Sequence, residues 1–307
     1  MSLSEKIKTS IERIRGFEDI ALKHKSDTGE SGYYLAFSGG KDSLVVKTLM
    51  DMAGVYYESF YQVSTVDPPE LVQYIKKYHP DVTFKHTRYH DGSRVTMWNL
   101  IPRKMMPPTR RFRYCCEYLK ESGGDGRFTV TGVRWAESVN RSRKQGLVTL
   151  MGKSAVDEYT DNSDFRATPN GTGVVLVNDN TESRQMLDGC VSRHKTVFNP
   201  IIDWEYRDVW EFIRGERLPY CELYDCGFHR VGCIGCPMGG RKHQLWEFAQ
   251  YPKYKNGYLM AFQKMIDARI EKGLKMPDHY KDPETVFNWW VEDPNIEGQM
   301  NLWEDDG

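Results

Sequence analysis

The chain has 307 residues, 39% of them hydrophobic and 28% charged, with a formal net charge of -1. That length suits one large α/β domain with appendages or two small domains, and the balanced charge supplies no global basic field for nucleic acid. No segment reaches the apolar length of a membrane span and the N-terminus has no signal-peptide core, so a cytoplasmic protein without membrane attachment is expected. The seven cysteines are then expected to be thiols or metal ligands rather than disulfides.

Taken in chain order, Ile7, Ile11, Ile14, Phe17 and Ile20 fall at steps of three and four and predict an amphipathic helix. Residues 33–37 (YYLAF) predict a buried strand, 38–40 (SGG) a tight turn, and 42–52 a helix stopped by Gly54. Two glycines remove the Cβ atoms that would hold a ligand off the backbone. The helix start aims unsatisfied N–H groups and a positive dipole end at whatever fills the turn. The pattern is a polyphosphate cradle, with Ser38, Gly39, Gly40, Asp42 and Ser43 as donors and Lys41 as a point charge. Asp42 is also placed to orient a Mg²⁺ ion or a water. The G-x-x-x-x-G-K-[ST] spacing of the Walker loop is absent.

Further strands are predicted at 56–63, 82–86 and 127–134, and a helix after Asp67, a candidate N-cap followed by two prolines. Residues 91–113 read as a loop or short-helix region over the ligand. Arg134 ends its strand with a fork suited to phosphate or sulfate, an ion pair to Glu137 being the plainer alternative. Residues 144–190 read as an insertion whose one convincing strand is 174–178. A strand at 197–202 and a helix at 206–214 follow, with Asp203 as a candidate cap and Trp204, Trp210 and Phe212 as core. A helical stretch at 244–272 and an acidic end at 289–307, packing back on the domain, complete the chain. Strands alternating with helices predict an α/β, doubly wound, mainly parallel sheet with helices on both faces, plus the insertion and a helical C-terminal tail. The expected segments are 1–30 (helix), 31–240 (nucleotide-binding domain) and 241–307 (helical extension). Such sheets bind ligands beyond the carboxyl ends of their strands.

The cysteines form two pairs, Cys115-Cys116 and Cys233-x-x-Cys236. Two pairs of soft ligands suggest one metal centre, for which an iron–sulfur cluster or a tetrahedral zinc would both serve. Adjacent cysteines can reach one centre from a helix start or a bend. Cys190 and Cys221 carry no motif and read as structural thiols, and His229 as packed or solvated. Arg110, Arg111 and Arg113 read either as contacts for an anionic substrate or the metal centre, or as solvated loop; Arg141 and Arg143 are open in the same way. Further basic clusters at 103–104, 193–195 and 241–243 read as scattered solvated charge.

These motifs together resemble the phosphoadenosine phosphosulfate (PAPS) reductase family of the PP-loop ATP pyrophosphatase superfamily. SGGKDS (38–43) is similar to its nucleotide loop, and Thr131-Gly132-Val133-Arg134 with Glu137-Ser138 to its G-[VL]-R-x-x-E-S motif. VFNPIIDW (197–204) with Asp208-Val209-Trp210, and LYDCGFHRVGCIGC (223–236), resemble two further family segments. The resemblance implies an adenine nucleotide alpha hydrolase-like fold. It implies ATP or adenosine phosphosulfate (APS) bound by residues 38–43 with Gly132 and Arg134, and Lys41, Asp42 and Arg134 in catalysis. It also implies a [4Fe–4S] cluster on Cys115, Cys116, Cys233 and Cys236, with zinc the alternative and Mg²⁺ an accessory. Three activities follow from it: sulfur transfer through ATP-dependent adenylylation with pyrophosphate release, APS/PAPS reduction to sulfite, or nucleotide sensing without turnover beside a DNA-associated partner. The first also implies a sulfur-donor protein, and a homodimer is consistent with each. In the reductases the nucleophilic cysteine lies beyond CxxC; Cys226 precedes it, so its E-C-G-H-like setting reads as coincidence.

Overall fold

The computed structural model describes residues 1–23, 25, 29–159, 161–180, 184, 187 and 195–292. Cys190, Arg193 and the acidic end beyond residue 292 lie outside them. The chain forms two compact units, one of residues 1–62, 69–85 and 122–231, the other of 63–68, 86–121 and 232 onward. This differs from the linear segments expected at 30 and 240. The N-terminal helices belong to the sheet unit because Ile14, Phe17 and Ala21 are fully buried there, and the C-terminal helices share a core with residues 86–121.

The first unit is built on eight strands: β1 (Tyr33–Ala36), β2 (Tyr57–Gln62), β3 (Thr83–Lys85), β4 (Phe128–Val130), β5 (Val148–Met151), β6 (Phe165–Ala167), β7 (Gly173–Leu176) and β8 (Lys195–Phe198). Their order is β3-β2-β1-β4-β8-β5-β7-β6. The first five are parallel, with Leu35 opposite both Ser59 and Val130. β1 and β4 are buried along nearly their whole length, as strands covered on both faces are. The sheet is thus doubly wound, and the strand order reverses between β1 and β4, where such folds open a ligand crevice. β5, β6 and β7 join antiparallel at one edge. The insertion therefore carries three strands, not the single one expected. Each spans three or four residues, too few for a two-residue period to stand out among Gly, Asn and Asp.

Helix α1 (Leu3–Gly16) opens with a capping box, Ser2 and Glu5, and is followed by α2 (Glu18–Lys23). Phe17 between them stacks on Phe128 at 5.5 Å and packs tilted against Phe198 at 5.1 Å, which ties the N-terminus to the sheet. Helix α3 (Lys41–Ala53) follows β1 and ends on Gly54 in the left-handed conformation. Helix α4 (Pro69–Tyr78) follows β2. Asp67 does not serve as the expected N-cap; its carboxylate accepts the Ser64 N–H at 3.0 Å.

The second unit is helical, with helices Met97–Lys104, Tyr114–Leu119, Gly240–Gln250, Pro252–Glu271 and Pro283–Glu292. Its core includes Leu100, Ile101, Phe262, Met265 and Trp290. The single helix expected over 244–272 is two, because Pro252 has no N–H to continue the first and starts the second. No helix among the described residues is long and apolar enough to cross a membrane.

Candidate functional site

The turn after β1 is shaped by its own side chains. Gly39 lies at φ +72, and a Cβ there would meet Ile75 and Leu71 of α4 at 2.7 Å, so only glycine fits. Ser43 Oγ accepts the Ser38 N–H at 3.2 Å and donates to the Gly40 carbonyl at 2.9 Å, which closes the loop on the first turn of α3. The helical ladder begins at Leu44 N–H to Gly40 C=O, so the Asp42 and Ser43 amides precede it. Lys41 and Ser43 are buried and Ser38 is exposed, placing the mouth of the turn at Ser38.

Asp42 is the electrostatic centre of this turn. Its Oδ1 accepts from Arg134 Nε at 2.8 Å and its Oδ2 pairs with Lys41 Nζ at 2.9 Å. Arg134 is 2% exposed and also donates to the Trp204 carbonyl at 3.2 Å. The alternative of an Arg134–Glu137 ion pair is not what forms. Glu137 pairs with Arg141 at 2.6 Å and accepts only the Arg134 backbone N–H. Gly132 lets the end of β4 approach: a Cβ there would lie 2.8 Å from the Asp42 carbonyl carbon.

The NPIIDW segment supports this junction. The fully buried Asn199 amide donates to the Gly146 carbonyl at 2.9 Å and its oxygen accepts from Thr131, the residue before Gly132. Trp204 Nε1 donates to Ser10 of α1 at 3.1 Å, and Arg13 holds Asp203 at 3.0 Å. Asp203 is therefore not the cap of the helix Tyr206–Gly215. Glu205 takes that position, and its N–H goes to Asp208 at 2.7 Å. Trp204 and Phe212 are core as expected.

Sequence reasoning missed Tyr224, whose hydroxyl accepts the Lys41 N–H at 2.9 Å. The rings of Tyr206 and Tyr224 also flank the Lys41 ammonium at 5.5 and 6.0 Å. The signal was present in the LYDCGF string. Leu223 and Phe228 bury together, Gly227 at φ +92 allows the reversal between them, and Tyr224 is left facing the turn.

The cysteine pairs both lie in the second unit. Cys115 and Cys116 occupy the first turn of the helix Tyr114–Leu119, after Arg113. Cys233 and Cys236 bound a loop pinned at every polar backbone atom of its two inner residues. Ile234 N–H reaches the Val66 carbonyl at 2.8 Å and Ile234 C=O the Tyr258 hydroxyl at 3.0 Å. Gly235 N–H goes to Glu247 at 2.8 Å and Gly235 C=O to Gln244 at 3.0 Å. Gly235 sits at φ +72 with the Phe248 ring 2.4 Å from where a Cβ would be.

The thiols feel one another. The hydrogen bond between Cys115 and Cys116 drives Cys115 well above the ordinary thiol range and pulls Cys116 below it. Burial adds to the rise of Cys115 and opposes the fall of Cys116, which Arg113 assists; the charges of Cys233 and Cys236 also raise Cys115. Burial pushes Cys233 up to about 11 against the pull of Lys120. Lys120 is raised in turn, chiefly by Cys233. As placed, no three His, Cys, Asp or Glu side chains among the described residues are gathered tightly enough to hold a metal ion. Cys221 is buried, Cys226 and His229 are exposed, and Arg110 braces the Pro237 carbonyl at 3.0 Å.

The sequence profile of the phosphoadenosine phosphosulfate reductase domain matches residues 32–238. The chain belongs to this family. Among curated relatives, an uncharacterised protein of Methanocaldococcus jannaschii is 24% identical over 269 residues, covering 83% of this chain and 50% of that protein. The APS reductase of Oceanobacillus iheyensis is 51% identical over 37 residues, 12% of this chain and 15% of that enzyme. The chain spans about half the length of the curated relatives it matches over most of its sequence. Among solved structures, the PAPS reductase of Candida auris in its phosphate complex shares 12% identity over 76% of this chain and 96% of its own, at a TM-score of 0.38. Within this PAPS reductase-family chain, the first unit brings together Ser38, Gly39, Gly40, Lys41, Asp42, Ser43, Gly132 and Arg134. In the second, Cys115 feels the charges of Cys116, Cys233 and Cys236.

Proposed function

We propose that the chain binds an adenine nucleotide in the SGGKDS turn and uses it for sulfur transfer by ATP-dependent adenylylation. The observation that carries this reading is the Lys41–Asp42–Arg134 ion triplet at the point where the strand order reverses. It holds two cations beside a helix start without any ligand, ready for a polyphosphate. In the proposed reaction an acceptor oxygen attacks the α-phosphorus and the bond to the β-phosphate breaks. Pyrophosphate leaves with the electron pair; the terminal sulfur of a donor protein's persulfide then displaces AMP, and a thiol reduces the resulting donor–acceptor disulfide, which frees the thiolated acceptor and the donor thiol. Lys41 and Arg134 neutralise the phosphate charge in both steps, and Asp42 keeps them in register. Both Asp42 oxygens already face cations, so a magnesium ion is assigned in this reading to the nucleotide's phosphates.

We further propose that Cys115, Cys116, Cys233 and Cys236 hold a [4Fe–4S] cluster. The two pairs supply the four thiolates that such a cluster takes, and a tetrahedral zinc on the same four is the alternative. When bound, such a cluster supplies an electron-transfer or sulfur-holding centre. Lys120 and Arg113 offset thiolate charge beside it.

The short but close likeness to APS reductases favours a second reading, reduction of a sulfonucleotide to sulfite, with the exposed Cys226 or a partner's thiol as nucleophile. Incubating anaerobically reconstituted protein separately with ATP, APS and PAPS, with sulfide and a thiol reductant present, separates the readings. AMP with pyrophosphate from ATP is the expected result. Sulfite from APS or PAPS would replace it with the reductase, and tight binding without product would leave a sensing subunit of a DNA-associated complex.

A further inference from the structure

We propose that Tyr224 is a phosphate-binding residue of this turn, giving its phenolic hydrogen to the polyphosphate of the bound nucleotide. The inference rests on the nucleotide reading above and adds a contact to it. The Tyr224 oxygen accepts the Lys41 N–H at 2.9 Å. A phenol whose oxygen receives an amide hydrogen still has its own hydrogen to give. None of the hydrogen bonds among the described residues takes it.

The location decides what would take it. Lys41 is the first residue of α3, so its N–H is one of the donors a bound anion would otherwise claim directly. Tyr224 stands on that donor and replaces it with a hydroxyl donor one side-chain atom farther out. A Cβ at Gly40 would lie 3.4 Å from the same oxygen, so the hydroxyl borders the turn itself rather than a neighbouring surface. The Lys41 ammonium lies 6.0 Å from the Tyr224 ring centre, so the phenol and the cation are neighbours.

The side chain is held there by construction. It ends a 3₁₀ turn, Glu222–Tyr224, anchored by the buried Leu223 and Phe228, and Phe228 N–H bonds the Leu223 carbonyl at 3.1 Å. Its ring meets the edges of Trp210 and Tyr220 at 5.2 and 6.4 Å. A phenol held this firmly meets an incoming phosphate without losing rotamer freedom on binding. Burial raises its pKa, so it remains a protonated donor at neutral pH.

The plainer role, a cap that only satisfies the Lys41 amide, predicts a different response to fluorination. Fluorine on the ring makes the phenol a stronger donor and a weaker acceptor. Calorimetry with ATP and with pyrophosphate, on the full chain at pH 6, would compare wild type, Tyr224→Phe and a chain carrying 3-fluorotyrosine at position 224. Tyr224→Phe should weaken both ligands on the order of ten-fold, the worth of one hydrogen bond to a charged group. The fluorinated chain should bind both at least as tightly as wild type. Equal binding by Tyr224→Phe, or weaker binding by the fluorinated chain, would overturn the proposal and leave the nucleotide reading standing. Failure of the wild type to bind either ligand would overturn both. Should Tyr224→Phe unfold, the fluorinated chain, which keeps size and shape, decides alone.

Discussion

The nucleotide turn and the thiol loop solve the same backbone problem and differ in how their charge is settled. Gly39 and Gly235 both sit at φ +72, and at both a Cβ would collide with a core side chain, Leu71 or Ile75 in one unit and Phe248 in the other. In the nucleotide turn the two cations share one carboxylate, which leaves one net positive charge at the turn. In the thiol loop the groups pull against one another. Cys115 and Cys233 are pushed towards the neutral thiol, Cys116 towards the thiolate, and Lys120 is held charged beside them. The residual positive charge at the turn favours an anion, and metal binding at the proposed cluster would have to release the protons of Cys115 and Cys233.

The largest effect should come from breaking the second arrangement. Cys115→Ser and Cys236→Ser should each abolish nearly all bound iron and the broad absorption near 400 nm of anaerobically prepared protein, while Cys226→Ser, at an exposed site, should keep both. Equal loss in all three would mean general destabilisation rather than lost ligands. Colourless wild-type protein with stoichiometric zinc would replace the cluster with an ion.

The glycines sharpen the comparison at intermediate cost. Gly39→Ala and Gly235→Ala should each destabilise by about 2–3 kcal/mol, from a left-handed backbone plus displacement of a packed side chain. Their functional effects should be crossed. Gly39→Ala should lose ATP affinity and keep metal, and Gly235→Ala should lose metal and keep ATP affinity, as read by calorimetry and metal analysis. Loss of both functions in either variant would show that the two sites are not independent structures.

The sequence made the first unit's centre readable because long-range physics and local pattern agree there. A buried run, two glycines and an amphipathic helix occur in order, and parallel strands demand that order. Arg134 was readable as a cation following a parallel strand, but its partner was not. Asp42 is 92 positions away and only strand adjacency brings them together. Tyr224 was hidden for the same reason, lying 183 positions from the amide it covers. The insertion failed because its strands are shorter than the period test needs. The second unit was not visible as a unit, since its core joins Leu100 and Tyr114 to Phe262 and Trp290 across most of a sheet domain's sequence. Cysteine spacing nevertheless singled out four of its residues, because side-chain chemistry is legible where packing is not.

The smallest expected effect tests whether charge supports the thiol loop from outside. His243 Nε2 lies 3.1 Å from Glu247, the carboxylate that also holds the Gly235 N–H. That hydrogen bond raises the His243 pKa, with burial opposing and the Glu247 charge assisting. A histidine raised in the folded state stabilises fully below its unfolded value near 6.5, and the contribution disappears as pH rises through the folded value. His243→Gln should therefore lower Tm by about 1–3 °C at pH 6, in keeping with a partly exposed pair, and by much less at pH 9. An equal deficit at both pH values would assign the effect to the ring's stacking on Trp246, which does not titrate away, and would leave Glu247 holding the loop without help from a cation.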